Sequence, residues 1–84
     1  MITVNVRFSA ALAQTAGSPR LRMTLADDST VGSLLDELAA TFPHLASRLP
    51  HLVIAVAGRH VGRDELLAEG QEVLLVMPAA GGEV

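Results

Sequence analysis

The chain reads as an α+β protein: a mixed sheet of four to five strands covered on one face by one main helix. Three observations predict this. Two N-terminal segments alternate polar and apolar residues, only one segment carries a long helical stripe, and the second half holds apolar runs of strand length between turn residues. A single helix can cover only one face of such a sheet, which places the chain in the α+β class.

The elements follow in order. ITVNVRF puts Ile2, Val4, Val6 and Phe8 on one face, and Thr3, Asn5 and Arg7 on the other. SAALAQTAG is rich in alanine, closes on Gly17 and precedes Pro19, so it reads as a short helical turn or loop. RLRMTL alternates again, with Leu21, Met23 and Leu25 inward. These two strands predict a hairpin whose connection is longer than the tightest turns. Thr30 is the expected N-cap of the main helix, with Asp27 and Asp28 near the positive end of its dipole. The helix carries Val31, Leu34, Leu35, Leu38 and Phe42 on one stripe, leaves Asp36, Glu37 and Thr41 to water, and stops at Pro43.

HLASRLP predicts a partly helical connector, and HLVIAVAG a strand ended by Gly58. RHVGRDELLAEGQ, with turn signals at Gly62 and Gly70, predicts one short strand and an irregular turn. EVLLVMP is the last strand, ended by Pro78, and AAGGEV has no periodicity.

Composition narrows the function. The chain has 84 residues, half of them apolar, which suits one small core with a stability on the order of 4–12 kcal/mol. The net charge is −3, and there is no Lys, Trp or Tyr. Only Phe8 and Phe42 could stack on bases and the arginines are scattered along the chain, so no nucleic-acid partner is expected. Without cysteine there is no disulfide, thiolate metal site or cysteine nucleophile. No apolar run reaches membrane-span length, and the N-terminus lacks the pattern of a signal peptide, so a cytoplasmic protein with no membrane partner is expected.

Most polar residues read as structural. His44, His51 and His60 have no metal-ligand spacing, so no metal site is expected. Asp27-Asp28, Asp64-Glu65, Glu69 and Glu72 are solvated turn charges, and Ser9, Ser29, Ser33 and Ser47 lack a nucleophile context. No phosphate loop is present, so the chain itself is not expected to bind ATP. The final strand is apolar on both faces: Val73, Leu75 and Met77 on one, Leu74 and Val76 on the other. Beside a one-helix sheet, that predicts an exposed apolar patch suited to docking.

Three stretches, VRFSAALAQTAG, TVGSLLDELAATFP and RDELLAEGQEVLLVMPAAGG, span almost the whole chain. In them it resembles the β-grasp, ubiquitin-like sulfur carriers of the MoaD and ThiS type, and the long FSAALAQTAG turn is closer to the MoaD branch. The resemblance implies a single β-grasp domain over residues 1–78 and a flexible C-terminal tail over 79–84. It implies a carrier rather than an enzyme, with no catalytic residues and no bound cofactor. An adenylating, ubiquitin-activating-like partner would use ATP and Mg to activate the terminal carboxylate of Gly81-Gly82. Sulfur would then leave a thiocarboxylate, which a sulfur-acceptor synthase subunit would consume, in molybdopterin biosynthesis for the MoaD branch. Leu74, Val76, Met77, Pro78, Ala79 and Ala80 are the expected partner interface.

Glycine suits such a tip because it lacks Cβ and lets the backbone approach a phosphate closely. From Pro78 to Gly82 the extended chain reaches about 16 Å. The MoaD pattern ends at the second glycine, whereas Glu83 and Val84 follow here, and Gly82 has no free carboxylate until they are removed. Three readings stay open: a precursor cut between Gly82 and Glu83 by a processing metalloprotease, an expression artefact, or a protein that acts only by binding. Alternatives to the molybdopterin role are a non-catalytic binding module, a protein modifier, or a carrier serving thiamin, cysteine or a natural product.

Overall fold

The alternation of the N-terminal segments places their apolar rows on one side of a sheet. A computed structural model of the chain, described here for residues 1–78, bears this out. Strand β1 (Ile2–Phe8) pairs antiparallel with β2 (Arg20–Leu25), bringing Val4 opposite Met23 and Val6 opposite Leu21. Val4, Val6, Met23 and Leu25 are buried.

The connection between these strands is a helix of two turns, α1 (Ala10–Ala16), rather than a loop. Tertiary packing favours it: Leu12 is wholly buried in the core, which anchors a helix otherwise too short to persist alone. Gly17 ends it in the left-handed region at φ 84°, where its N–H donates to Ala13 O.

The main helix α2 (Val31–Thr41) follows the expected stripe, with Val31, Leu34, Leu35 and Leu38 buried and Phe42 half-buried at its end. Each fully buried leucine stabilises the fold by about 1.5–3 kcal/mol. The Thr30 hydroxyl accepts from the Ser33 N–H at 3.2 Å, as a cap should. No acidic residue lies in the first turn of α2, and the Asp27 carboxylate before it sits 2.8 Å from the Met1 ammonium. Two single-turn 3₁₀ helices, Pro43–Leu45 and Leu49–His51, form the connector and bury Leu45 and Leu49.

Strand β3 (Val53–Val56) turns through Ala57 and Gly58, both at positive φ, into the two-residue strand β4 (Arg59–His60). After an irregular segment, β5 (Glu72–Val76) enters the middle of the sheet. The strand order is β2-β1-β5-β3-β4, with β1 and β5 parallel and the other pairs antiparallel. The first and last strands are therefore central neighbours. Leu75 and Val73 of β5 are wholly buried against the helical layer.

The irregular segment 61–71 has a structural task that periodicity does not reveal. Its backbone carbonyls meet the first amides of α2: Val31 N–H donates to Glu65 O at 2.9 Å and Gly32 N–H to Arg63 O at 2.7 Å. Leu67 N–H donates to Ser29 O at 2.9 Å, and Leu67 is buried. Amides left orphaned at a helix start are thus satisfied by a distant segment. Gly32 permits this approach, since a Cβ there would lie 3.2 Å from Arg63 O.

Candidate functional site

The site is the C-terminal end of β5 and the sheet face beside it. β5 lies between β1 and β3, so its end is held from both sides. On the β1 side the holder is Ser9, the residue after the strand. Its N–H donates to Leu75 O at 3.0 Å, and its hydroxyl accepts from Met77 N–H at 3.3 Å. On the β3 side, Val53 pairs with Val76. The chain thus leaves the sheet from a fixed point at Met77, and Pro78 beyond it is exposed.

Ser9 is a positioning residue that its local sequence does not single out, since nothing around it marks a nucleophile or a cap. Its use as a backbone clamp depends on β1 and β5 being neighbours, which no local pattern shows.

The expected interface residues separate by face. Leu74, 37 % exposed, and half-buried Val76 lie on the outer face away from the helices. Half-buried Val53 and Ala55 pair with them in register and extend the patch onto β3. Met77 is half-buried and packs against the hydrophobic core. Ala79, Ala80, Gly81, Gly82 and Glu83 lie outside the described residues.

Strand register also brings together arginines that are far apart in sequence. Arg7 pairs with Arg20 across β1 and β2, and Asn5 with Arg22. Paired residues share a face, so Arg7, Arg20 and Arg22 stand together on the outer face, and all three are exposed. The scatter seen along the chain is thus undone by the hairpin. Arg7 also pairs with Leu74, and Asn5 with Glu72. Glu72 approaches Arg7 at 3.6 Å, while Arg20 and Arg22 have no ion pair among the described residues.

Two shallow open depressions share Glu72 at their boundary. One is lined by Asn5, Arg7, Arg20, Leu21, Arg22 and Glu72; the other by Ala55, Ala57, Gly58, Gln71, Glu72 and Leu74. Neither encloses a substrate, and their walls present binding groups rather than a nucleophile with a base. His44, His51 and His60 do not join any cluster of metal-ligating side chains among the described residues. No helix there is long and apolar enough to cross a membrane.

Among the described residues, the group held clearly away from its ordinary pKa lies at the other end of the chain. The hydrogen bond and charge of Asp27, with a smaller contribution from Glu69, hold the Met1 amine above its ordinary value.

Comparison with known proteins shows the family and the fold. The family model described as the ThiS family matches residues 6–82. Small archaeal modifier protein 1 of Haloferax volcanii is 35% identical over 79 residues, covering 84% of this chain and 91% of that protein. Its crystal structure superposes with a TM-score of 0.85 at 30% identity, over 94% of this chain and 100% of the other. The molybdopterin synthase sulfur carrier subunit of Mycobacterium tuberculosis is 29% identical, covering 98% of this chain and 100% of that protein.

Proposed function

This chain belongs to the ThiS family of ubiquitin-like β-grasp proteins, and from that membership we propose that it is a sulfur carrier whose diglycine, Gly81-Gly82, is its working end. The observation that carries the proposal is the extent of the family match. It runs through residue 82 and leaves Glu83 and Val84 outside.

The chemistry has three steps. Water cleaves the Gly82–Glu83 peptide bond in a processing metalloprotease, releasing the segment that begins at Glu83 and a free Gly82 carboxylate. In an adenylating partner that uses ATP and Mg, a carboxylate oxygen attacks the α-phosphate and pyrophosphate leaves. A persulfide sulfur then attacks the acyl carbon of the adenylate and AMP leaves; a partner thiol attacks the resulting acyl disulfide, which frees the thiocarboxylate and leaves that thiol oxidised in a new disulfide. A sulfur-acceptor synthase subunit consumes that sulfur, and the acceptor we favour is a molybdopterin precursor, the role named for the mycobacterial relative.

The carrier contributes presentation. Ser9 and Val53 hold the strand end, so that a short exit segment can reach into a partner while the body stays outside. Leu74 and Val76 offer that partner an apolar seat beside the exit.

A second reading has specific support, because the Haloferax relative is named a modifier protein. There the same activated Gly82 acyl group is transferred to an amine of another protein. Both readings share the first two steps and part at the acceptor.

Intact mass spectrometry tests them. Incubation in lysate removes the residues after Gly82. A chain ending at Gly82 then exchanges oxygen for sulfur when given ATP, a cognate activating enzyme and a persulfide donor. Isopeptide adducts through Gly82 in place of the sulfur product favour the modifier reading. A chain that is neither trimmed nor adenylated, yet binds a partner after deletion of residues 79–84, overturns both.

A further inference from the structure

Three of the six arginines share one exposed sheet face, although the chain as a whole is acidic at −3. Arg7 and Arg20 stand directly opposite each other across β1 and β2. Like charges at such positions destabilise a sheet. The one carboxylate among them, Glu72, meets only Arg7, and at 3.6 Å. Of the other three arginines, Arg59 contacts Glu65 at 3.0 Å and Arg63 contacts Asp36 at 3.1 Å, while Arg48, in the connector, has no ion pair among the described residues. The β1–β2 face is therefore where positive charge gathers.

The position of this patch points to its use. One register row crosses the sheet as Arg20, Arg7, Leu74, Ala55 and His60. The arginines thus adjoin the apolar patch without a gap, at the end of β1 where Ser9 holds the exit of β5. Arg7 lies one strand from Leu74 and Arg20 two, within the footprint of a partner seated on that patch.

We infer that Arg7, Arg20 and Arg22 form the charged half of the docking surface and take an acidic segment of the adenylating enzyme, with carboxylates spaced along an extended strand or loop. This rests on the carrier reading above. Charge complementarity selects the occupant: three exposed arginines, Arg20 and Arg22 on β2 and Arg7 beside them on β1, line one open depression with a single carboxylate, Glu72. Arg20 and Arg22, two residues apart on one face of β2, match the spacing of alternate carboxylates along an extended partner segment. Arginine forks bind carboxylates bidentately, and a field of one sign speeds encounter.

The test compares the full chain with Arg20→Glu/Arg22→Glu, Arg20→Gln/Arg22→Gln and Leu74→Ala, measuring affinity for the cognate adenylating enzyme at about 50 and 500 mM NaCl, where the Debye length falls from roughly 14 to 4 Å. The charge reversal weakens binding at least tenfold at low salt and far less at high salt. The neutral pair falls between, and Leu74→Ala weakens binding equally at both. Unchanged thermal melting of the arginine variants shows that folding is not the cause. If the arginine variants match the wild type while Leu74→Ala weakens binding, the inference is overturned and the carrier reading stands. If the wild type itself neither binds nor, once trimmed, is adenylated, both fall. If the wild type dimerises and Arg20→Glu/Arg22→Glu dissociates it, the occupant is a second copy and the assignment is wrong.

Discussion

The Ser9 hydroxyl accepts the Met77 backbone N–H at 3.3 Å, across 68 positions of sequence. Together with the Ser9 N–H on Leu75 O, it ties the end of β1 to the end of β5 at the root of the proposed tail. Ser9→Ala removes the side-chain half of this tie and leaves the backbone half. The expected loss of stability is about 1 kcal/mol. Hydrogen exchange should localise it, with the Met77 amide exchanging about fivefold faster and amides of α2 changing no more than global stability requires. Unchanged exchange at Met77 would mean that the hydroxyl does not hold the strand end.

Leu74 and Val76 separate docking from folding because they lie on the outer face. Leu74→Ala and Val76→Ala should each cost under about 1 kcal/mol in urea denaturation, since neither side chain is fully buried. Affinity for the adenylating enzyme should fall about tenfold or more for the pair, as expected for apolar anchors at the centre of an interface. Equal affinity in the double variant would move the docking surface elsewhere.

Gly32 tests the contact between α2 and the distant segment. Alanine is the better helix former by about 1 kcal/mol. Here its Cβ would press on Arg63 O at 3.2 Å, and that carbonyl is already drawn in by the Gly32 N–H at 2.7 Å. Neighbouring bonds from Val31 and Leu67 hold the segment in place, so it yields little. Overpacking of about 1–3 kcal/mol should outweigh the gain and leave Gly32→Ala about 1 kcal/mol less stable. A more stable variant would show that residues 63–67 move freely.

The Met1–Asp27 ion pair predicts a pH dependence. The hydrogen bond and charge of Asp27 raise the amine above its ordinary value of about 8. A raised folded-state pKa gives stability that is fully present below about pH 8 and is lost as pH climbs through the folded value. Wild type should therefore exceed Asp27→Asn in stability at pH 7, and the gap should close in alkaline solution. Both partners are exposed, so the gap is small and shrinks with salt. Urea denaturation of both proteins from about pH 6 to 10 measures it. A gap that persists unchanged to high pH would assign the role of Asp27 to its turn instead.

Much of the fold was legible because it is written in local periods. The rows of β1 and β2, the stripe of α2, the Thr30 cap and the stop at Pro43 all follow from residues within a few positions of one another. The α1 helix was half legible: alanine content and Gly17 marked a turn, while burial of Leu12 decided for a helix. In the connector, Leu45 and Leu49 join the core although nothing in their spacing singles them out. The apolar residues on both faces of β5 were legible, but not the side to which Met77 turns for packing.

Side-chain alternation and helix periodicity act over a few residues, so the class, the strands, the main helix and the diglycine near the C-terminus can be read locally along the chain. Tertiary structure alone decided that Ser9 holds Met77, that Arg63 and Glu65 cap α2, and that Arg7, Arg20 and Arg22 share a face. Each of these depends on which strands are neighbours and in what register. That is set by burying all the apolar rows in one core at once, a condition on the whole chain that no short window contains.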